Sequence, residues 1–198
     1  MILKRHILIL ILLTLSSCIF EQGFKHNVTP FTVEKGDHKF KEDKVGIRIT
    51  KPSFKTKGSS RIFVSFDEST FYDKGLLGKD SMDINKLYGL SDCYANHLKN
   101  SARFGWRPID SGLMEIFAYV YADGHRIIES MGTVTPYEQA YYQLDVKGDY
   151  YDFLFKGHQV SIKRVKNCNH GVYYRLFPYF GGNMGAPNQM RIWLYEEN

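Results

Sequence analysis

Residues 101–134, SARFGWRPIDSGLMEIFAYVYADGHRIIESMGTV, alternate in side-chain character on either side of Asp123-Gly124. Period-two alternation around an Asp-Gly pair is the pattern of a β-hairpin closed by a tight turn. One face of its first arm carries Met114, Ile116, Ala118 and Val120, all apolar, and is the face a core takes. The other carries Leu113, Glu115, Phe117, Tyr119 and Tyr121. That face is too aromatic for bulk water and carries a charge, so it reads as a lined groove.

The pattern spreads outward from this hairpin. Upstream, Ala102, Phe104 and Trp106 alternate with Arg103, Gly105 and Arg107, and the first set is assigned inward. Downstream, Tyr142, Leu144 and Val146 lead to a turn at Lys147-Gly148. Tyr151, Phe153 and Phe155 lead to another at Lys156-Gly157, and Val160 and Ile162 return. Residues 172–180 and 190–195 supply two last strands, while residues 45–50 and 61–66 supply two early ones. Residues 69–100 are less regular, and a short helical turn is expected near residues 83–88. Many short strands joined by tight turns predict an all-β fold: a two-sheet antiparallel β-sandwich of jelly-roll, concanavalin-like type.

The amino terminus has a different character. Lys4 and Arg5 precede a nine-residue apolar run, residues 7–15, which ends in Leu15-Ser16-Ser17-Cys18. So short a run cannot cross a hydrocarbon layer that needs about twenty residues, but it suits a cleavable signal core. The motif resembles a bacterial lipoprotein signal, and the resemblance implies that Cys18 becomes a lipidated first residue. Three segments are expected: a signal peptide over residues 1–17, a lipid-anchored tether over 18–44 and a β-sandwich over 45–198. The tether reading rests on charge and on Gly and Pro with little periodicity. The expected location is the bacterial cell envelope, on the outer membrane or the cell surface.

The formal net charge of +5 falls by two when Lys4 and Arg5 leave with the signal. So small an excess is no nucleic-acid footprint, and none is expected as a partner. If Cys18 is acylated, Cys93 and Cys168 remain in a compartment that permits disulfides, and a bond between them is the favoured reading. The alternatives are two free thiols, or a Cys2His2 zinc set with His97 and His170 whose spacings fit no familiar finger. Asp80, Asp83, Asn85 and Asp92 concentrate hard oxygen donors without EF-hand spacing. Calcium is thus a secondary reading beside a solvated loop, and no other cofactor or metal is expected.

The groove reading gathers Arg103, Arg107, Glu115, Phe117, Tyr119 and Tyr121 with Tyr173, Arg175, Phe177 and Tyr179, and with Arg191, Trp193 and Tyr195. Aromatic faces stack on the C–H surfaces of sugars, while guanidinium forks bind carboxylate or sulfate. If these strands are neighbours in one sheet, the groove suits an acidic polysaccharide. The segments Arg103-Phe104-Gly105-Trp106-Arg107, Glu115-Ile116-Phe117 and Tyr179-Phe180-Gly181-Gly182, with Asn188-Gln189 downstream, resemble jelly-roll polysaccharide lyases of the alginate-lyase type. The resemblance implies that Arg103 and Arg107 neutralise a substrate carboxylate and that Tyr179 and Gln189 line the cleft. This chain departs from the pattern where catalysis needs it, with Phe117 at the family's histidine and Pro187 near its catalytic tyrosine.

Tyr179 and Tyr119 are the remaining catalytic candidates for an elimination, which needs a base, an acid and a positive group. Glu115 with Asp145 or Asp152 is the candidate glycosidase pair. No zinc-peptidase, serine-nucleophile or phosphate-loop motif is present. The sequence therefore favours a glycan-binding envelope domain. An enzyme on the same face, or a protein-binding adhesion component, are the alternatives.

Overall fold

The computed structural model describes residues 28–43, 54–55, 58–165 and 172–197. They form thirteen strands: β1 (Thr29–Val33), β2 (Lys41–Glu42), β3 (Phe54–Lys55), β4 (Ser59–Phe66), β5 (Asn85–Ser91), β6 (Ser101–Ile109), β7 (Leu113–Ala122), β8 (His125–Val134), β9 (Ala140–Lys147), β10 (Tyr150–Phe155), β11 (His158–Lys163), β12 (Tyr173–Leu176) and β13 (Met190–Glu196). Two antiparallel sheets result. One has the order β11-β10-β9-β4-β13-β1-β2 and the other β3-β12-β5-β6-β7-β8, so the fold is the expected jelly-roll β-sandwich.

The hairpin of β7 and β8 turns at Asp123 (φ 51°) and Gly124 (φ 81°), the left-handed pair that matches the twist of two strands. Lys156 (φ 47°) and Gly157 (φ 81°) repeat it between β10 and β11. Met114, Ile116, Ala118 and Val120 are wholly buried, as are Ala102 and Trp106. Across the sandwich Phe104 meets Tyr142 and Phe153 edge-on, with centroids 5.1 Å apart in both pairs. The alternation read from residues 101–134 thus points its apolar rows where expected, because one sheet face has only the other sheet to pack on.

Two expectations are corrected. Residues 83–88 hold no helical turn: Asn85 opens β5, whose register against β6 shifts between Lys86 and Gly89. That bulge hides the period of two and covers both faces of the strand. The helical turns lie earlier, at Glu68–Thr70 and Lys74–Asp80, where Asp67 and Asp73 accept from the backbone N–H groups of Ser69 and Gly75. Part of the presumed tether also belongs to the domain. Phe31 and Val33 are buried, β1 pairs with β13 and β2 pairs with β1, so the sandwich begins well before residue 45. A five-residue strand containing Pro30 is too short for its alternation to show. The strand expected over residues 45–50, the signal over 1–17, Cys18, Cys168 and His170 lie outside the described residues.

Candidate functional site

The outer face of the six-stranded sheet carries a cleft of about 920 Å³. Its floor comes from cross-strand register: Arg103 on β6 lies opposite Tyr119 on β7, and Tyr121 lies opposite Arg126 on β8. Lys86 enters from β5 beside Gly105 of β6. One wall is Phe177 and Tyr179, just after β12, together with Gly182 and Asn183. His97 and Leu98 join the lining from the β5–β6 connection, as do Lys39 and Asp83.

Each position has a local cause. Gly89 permits the floor, since a Cβ there would stand 2.3 Å from the Ala102 carbonyl oxygen and 2.5 Å from Arg103 Cα. Tyr179 is pinned by its backbone: Lys86 N–H donates to its carbonyl at 2.8 Å, and its own N–H donates back at 2.9 Å. His38 stacks on the Tyr179 ring at 5.2 Å. The glycine-rich loop that follows is held by Asp80, whose carboxylate accepts from the Asn183 N–H at 2.7 Å and the Met184 N–H at 2.8 Å. Those two donors lower the Asp80 pKa. His97 is set by Ser101, whose hydroxyl donates to the His97 carbonyl at 2.6 Å.

The electrostatics are one-sided. Arg103 is 6% exposed, and its Nη2 donates only to carbonyl oxygens, of Phe177 at 2.8 Å and Leu87 at 3.3 Å. Its Nε has no partner, and burial pushes its pKa down to about 10. Lys86 has its Nζ 5.3 Å from the Tyr119 ring centroid. Burial, then the Arg103 charge, pushes its pKa down to about 8. His97 is lowered by the same two kinds of cause, burial first and then Arg103 and Lys86. Burial, followed by the hydrogen bond with Tyr121, pushes Tyr119 up to about 12. Among the described residues no carboxylate forms an ion pair with Lys39, Lys86, Arg103 or Arg126, and Asp83 is the one acid lining the cleft.

Of the residues expected to share one groove, Arg103, Tyr119, Tyr121, Arg175, Phe177 and Tyr179 line this cleft. Arg107, Glu115 and Phe117 share the sheet face but not the cleft. Arg107 pairs with Glu115 at 2.9 Å and stacks over Phe117 at 5.2 Å, while Phe117 is buried against Ile84. The expectation of one face fails for the remaining strands. Tyr173 points into the core, where a Cβ at Gly58 would stand 2.8 Å from its ring. Arg175 reaches the cleft wall, yet its guanidinium bonds the Glu196 carboxylate of the other sheet at 3.1 Å. Arg191, Trp193 and Tyr195 lie on β13, in the seven-stranded sheet, where Arg191 stacks over Trp193 at 5.8 Å. Gln189 donates to Glu34 rather than lining the cleft. The reason is topological: β13 pairs with β1 and β4, and chain order says nothing of which sheet a strand joins.

The other chemical readings are also placed. Glu115 stands on one sheet while Asp145 and Asp152 stand on the other, where Asp145 pairs with Arg61 at 3.1 Å; they are no glycosidase pair. Three of the four oxygen donors named for calcium have structural partners: Asp80 holds the loop, Asn85 bonds Tyr72 and Gly181, and Asp92 bonds Tyr151 and Arg164, while Asp83 lines the cleft. Among the described residues no three His, Cys, Asp or Glu side chains are grouped to hold a metal. Sequence reasoning missed Lys39, Lys86, His97 and Arg126. For Arg126 the signal existed, since counting back from the Asp123-Gly124 turn sets it opposite Tyr121. Lys86 was hidden by the bulge, Lys39 by the tether reading and His97 by its loop.

No protein-family model matches the chain, and no curated protein matches its sequence. Solved structures do. The alginate lyase AlyC3 is 10% identical with a TM-score of 0.51, covering 86% of this chain and 74% of its own. A family 18 polysaccharide lyase is 9% identical with a TM-score of 0.47, covering 88% and 90%. A native glycosidic hydrolase is 12% identical with a TM-score of 0.49, covering 87% and 77%. The chain is thus similar in fold, at the level of the β-sandwich, to the alginate lyase.

Proposed function

We propose that this protein is a lipid-anchored envelope component that binds an acidic polysaccharide in the cleft of the six-stranded sheet. One observation carries the reading: half-buried Lys86 and buried Arg103 line an open cleft in which, among the described residues, no carboxylate forms an ion pair with either and Asp83 is the one acid in the lining. Buried cations without a counter-ion are costly, and an incoming carboxylate or sulfate relieves the cost. The rings of Tyr121, Phe177 and Tyr179 lie beside them, as surfaces on which sugar C–H faces stack. The lipid anchor rests on the signal motif ending at Cys18. A Cys93–Cys168 bond is part of the same extracellular reading, supported by a Cys93 that is disulfide-bonded.

Titration calorimetry of the purified protein tests the proposal. An oligouronate binds, more weakly as salt rises, and a neutral glucan of the same length binds at least tenfold less tightly. Equal affinity for the two overturns it. A second reading, elimination on the bound uronate, is favoured by the place of His97 in the cleft lining, an imidazole whose pKa burial, then the Arg103 and Lys86 charges, lower. Its signature is rising absorbance from an unsaturated uronate product, abolished in His97→Ala. Among the described residues Asp83 is the one carboxylate lining the cleft, so no carboxylate pair there supports a hydrolase reading.

A further inference from the structure

We propose that Lys86 and Arg103 together anchor one anionic group of the ligand, and that the ligand binds with uptake of a proton at Lys86. The inference rests on the acidic-glycan reading and deepens it by naming the anchor and its linkage to pH.

The geometry singles out this amine. Lys86 leaves β5 beside Gly105, a strand position with no side chain to oppose it, and its Nζ lies near the Tyr119 ring. On the far side the chain runs through Gly181, where a Cβ would stand 2.7 Å from Nζ and 2.4 Å from the Ile84 carbonyl oxygen. The glycine leaves the amine room beneath the loop. Arg103 lines the same cleft, more than nine-tenths buried, its Nη2 donating to two carbonyl oxygens and its Nε unpartnered. The Arg103 charge lowers the pKa of the Lys86 amine, and an anion seated by both groups offsets that repulsion.

Burial and Arg103 leave Lys86 partly neutral above about pH 8. A carboxylate in the cleft favours the ammonium, so the amine takes a proton from water as the ligand enters. The groups that surround the amine are Asp83 ahead of β5, His97 from the β5–β6 connection, Arg103, Tyr119, Arg126 on β8, Tyr179 after β12 and Lys39 after β1. Of those shifted from their ordinary values, Arg103 at about 10 and Tyr119 at about 12 lie above the window, and His97 is driven below its usual range. The interval from about pH 7 to 9 therefore reads Lys86.

The test is titration calorimetry of an oligouronate at several pH values, repeated in two buffers of different ionisation enthalpy. Affinity of the wild-type protein falls roughly tenfold between about pH 7 and 9, and the buffer comparison shows net proton uptake at about pH 8.5. Lys86→Arg, charged at every pH used, binds without the pH dependence, and Lys86→Met binds at least tenfold more weakly at about pH 7 while melting cooperatively. If Lys86→Arg keeps the wild-type fall, or the wild-type affinity is flat, the anchor is wrong and the acidic-glycan reading stands. If the wild-type protein does not bind the oligouronate at about pH 7, both fall together.

Discussion

Lys86 is held in the folded protein at a pKa of about 8, against 10.5 for the ordinary amine, chiefly by burial. Between those values the unfolded chain binds more protons than the folded one, so this group's contribution to stability rises with pH across that interval. Below about pH 8 its full cost is present. Lys86→Met therefore raises the melting temperature by a few degrees at neutral pH while weakening binding at least tenfold, and chemical denaturation alongside calorimetry separates the two effects. Arg126 is exposed at the cleft edge, and Arg126→Ala lowers affinity for an oligouronate about fivefold at low salt and less at physiological salt. Arg107, by contrast, is paired with Glu115, and Arg107→Ala leaves that affinity unchanged while lowering stability.

At the level of elements, the bulge in β5 and the loop after β12 shape the cleft. Gly89 sits where β5 and β6 come too close for a Cβ, with backbone rather than a flexible side chain in the way. Gly89→Ala costs about 1–3 kcal/mol in chemical denaturation, because the strand must move and Arg103 with it. The loop is fastened by Asp80, whose carboxylate the Met184 and Asn183 N–H groups hold in its charged form. Asp80→Asn removes that charge-assisted fastening, and hydrogen exchange at the Asn183 and Met184 amides accelerates while the amides of β7 stay protected. The same sign appears with pH: a lowered carboxylate pKa is a contribution present above the ordinary value of 3.8 and lost as the pH falls through the folded one.

Over the whole molecule, two sheets are joined by rings and by buried ion pairs. Arg164 and Asp92 meet at 2.6 Å, 4% and 3% exposed, and the Tyr151 hydroxyl donates to the same carboxylate at 2.8 Å. Arg164→Met leaves Asp92 buried without its counter-charge and costs about 3–5 kcal/mol, whereas Arg164→Met with Asp92→Leu recovers much of the loss. Denaturation of the single and double variants measures the difference. The outer faces are chemically distinct. The six-stranded sheet gathers Lys86, Arg103 and Arg126 around an open cleft, and the seven-stranded sheet gathers aromatic residues such as Phe63, Tyr141 and Tyr195, with centroids of 5.0 Å and 6.2 Å from Phe63.

Alternation alone determined much of this molecule. The inward rows of β6, β7, β9 and β10 follow from side chains that point to opposite faces at every step, a local property that any window of eight residues reveals. The tight turns follow from glycines that accept positive φ. Arg103, Tyr119, Tyr121 and Tyr179 were legible as candidates because their strands lie in or against one sheet. Lys86, His97 and Lys39 were not, for a bulge, a connection and a segment between two short early strands show no period. Only the tertiary structure decided that β13 joins the other sheet, taking Arg191 and Trp193 away from the cleft, and that Arg107 is neutralised by Glu115 while Arg103 is not. Strand pairing depends on contacts between residues far apart in the chain, and whether a cation is free depends on which acid the fold brings beside it; neither is written in a local pattern.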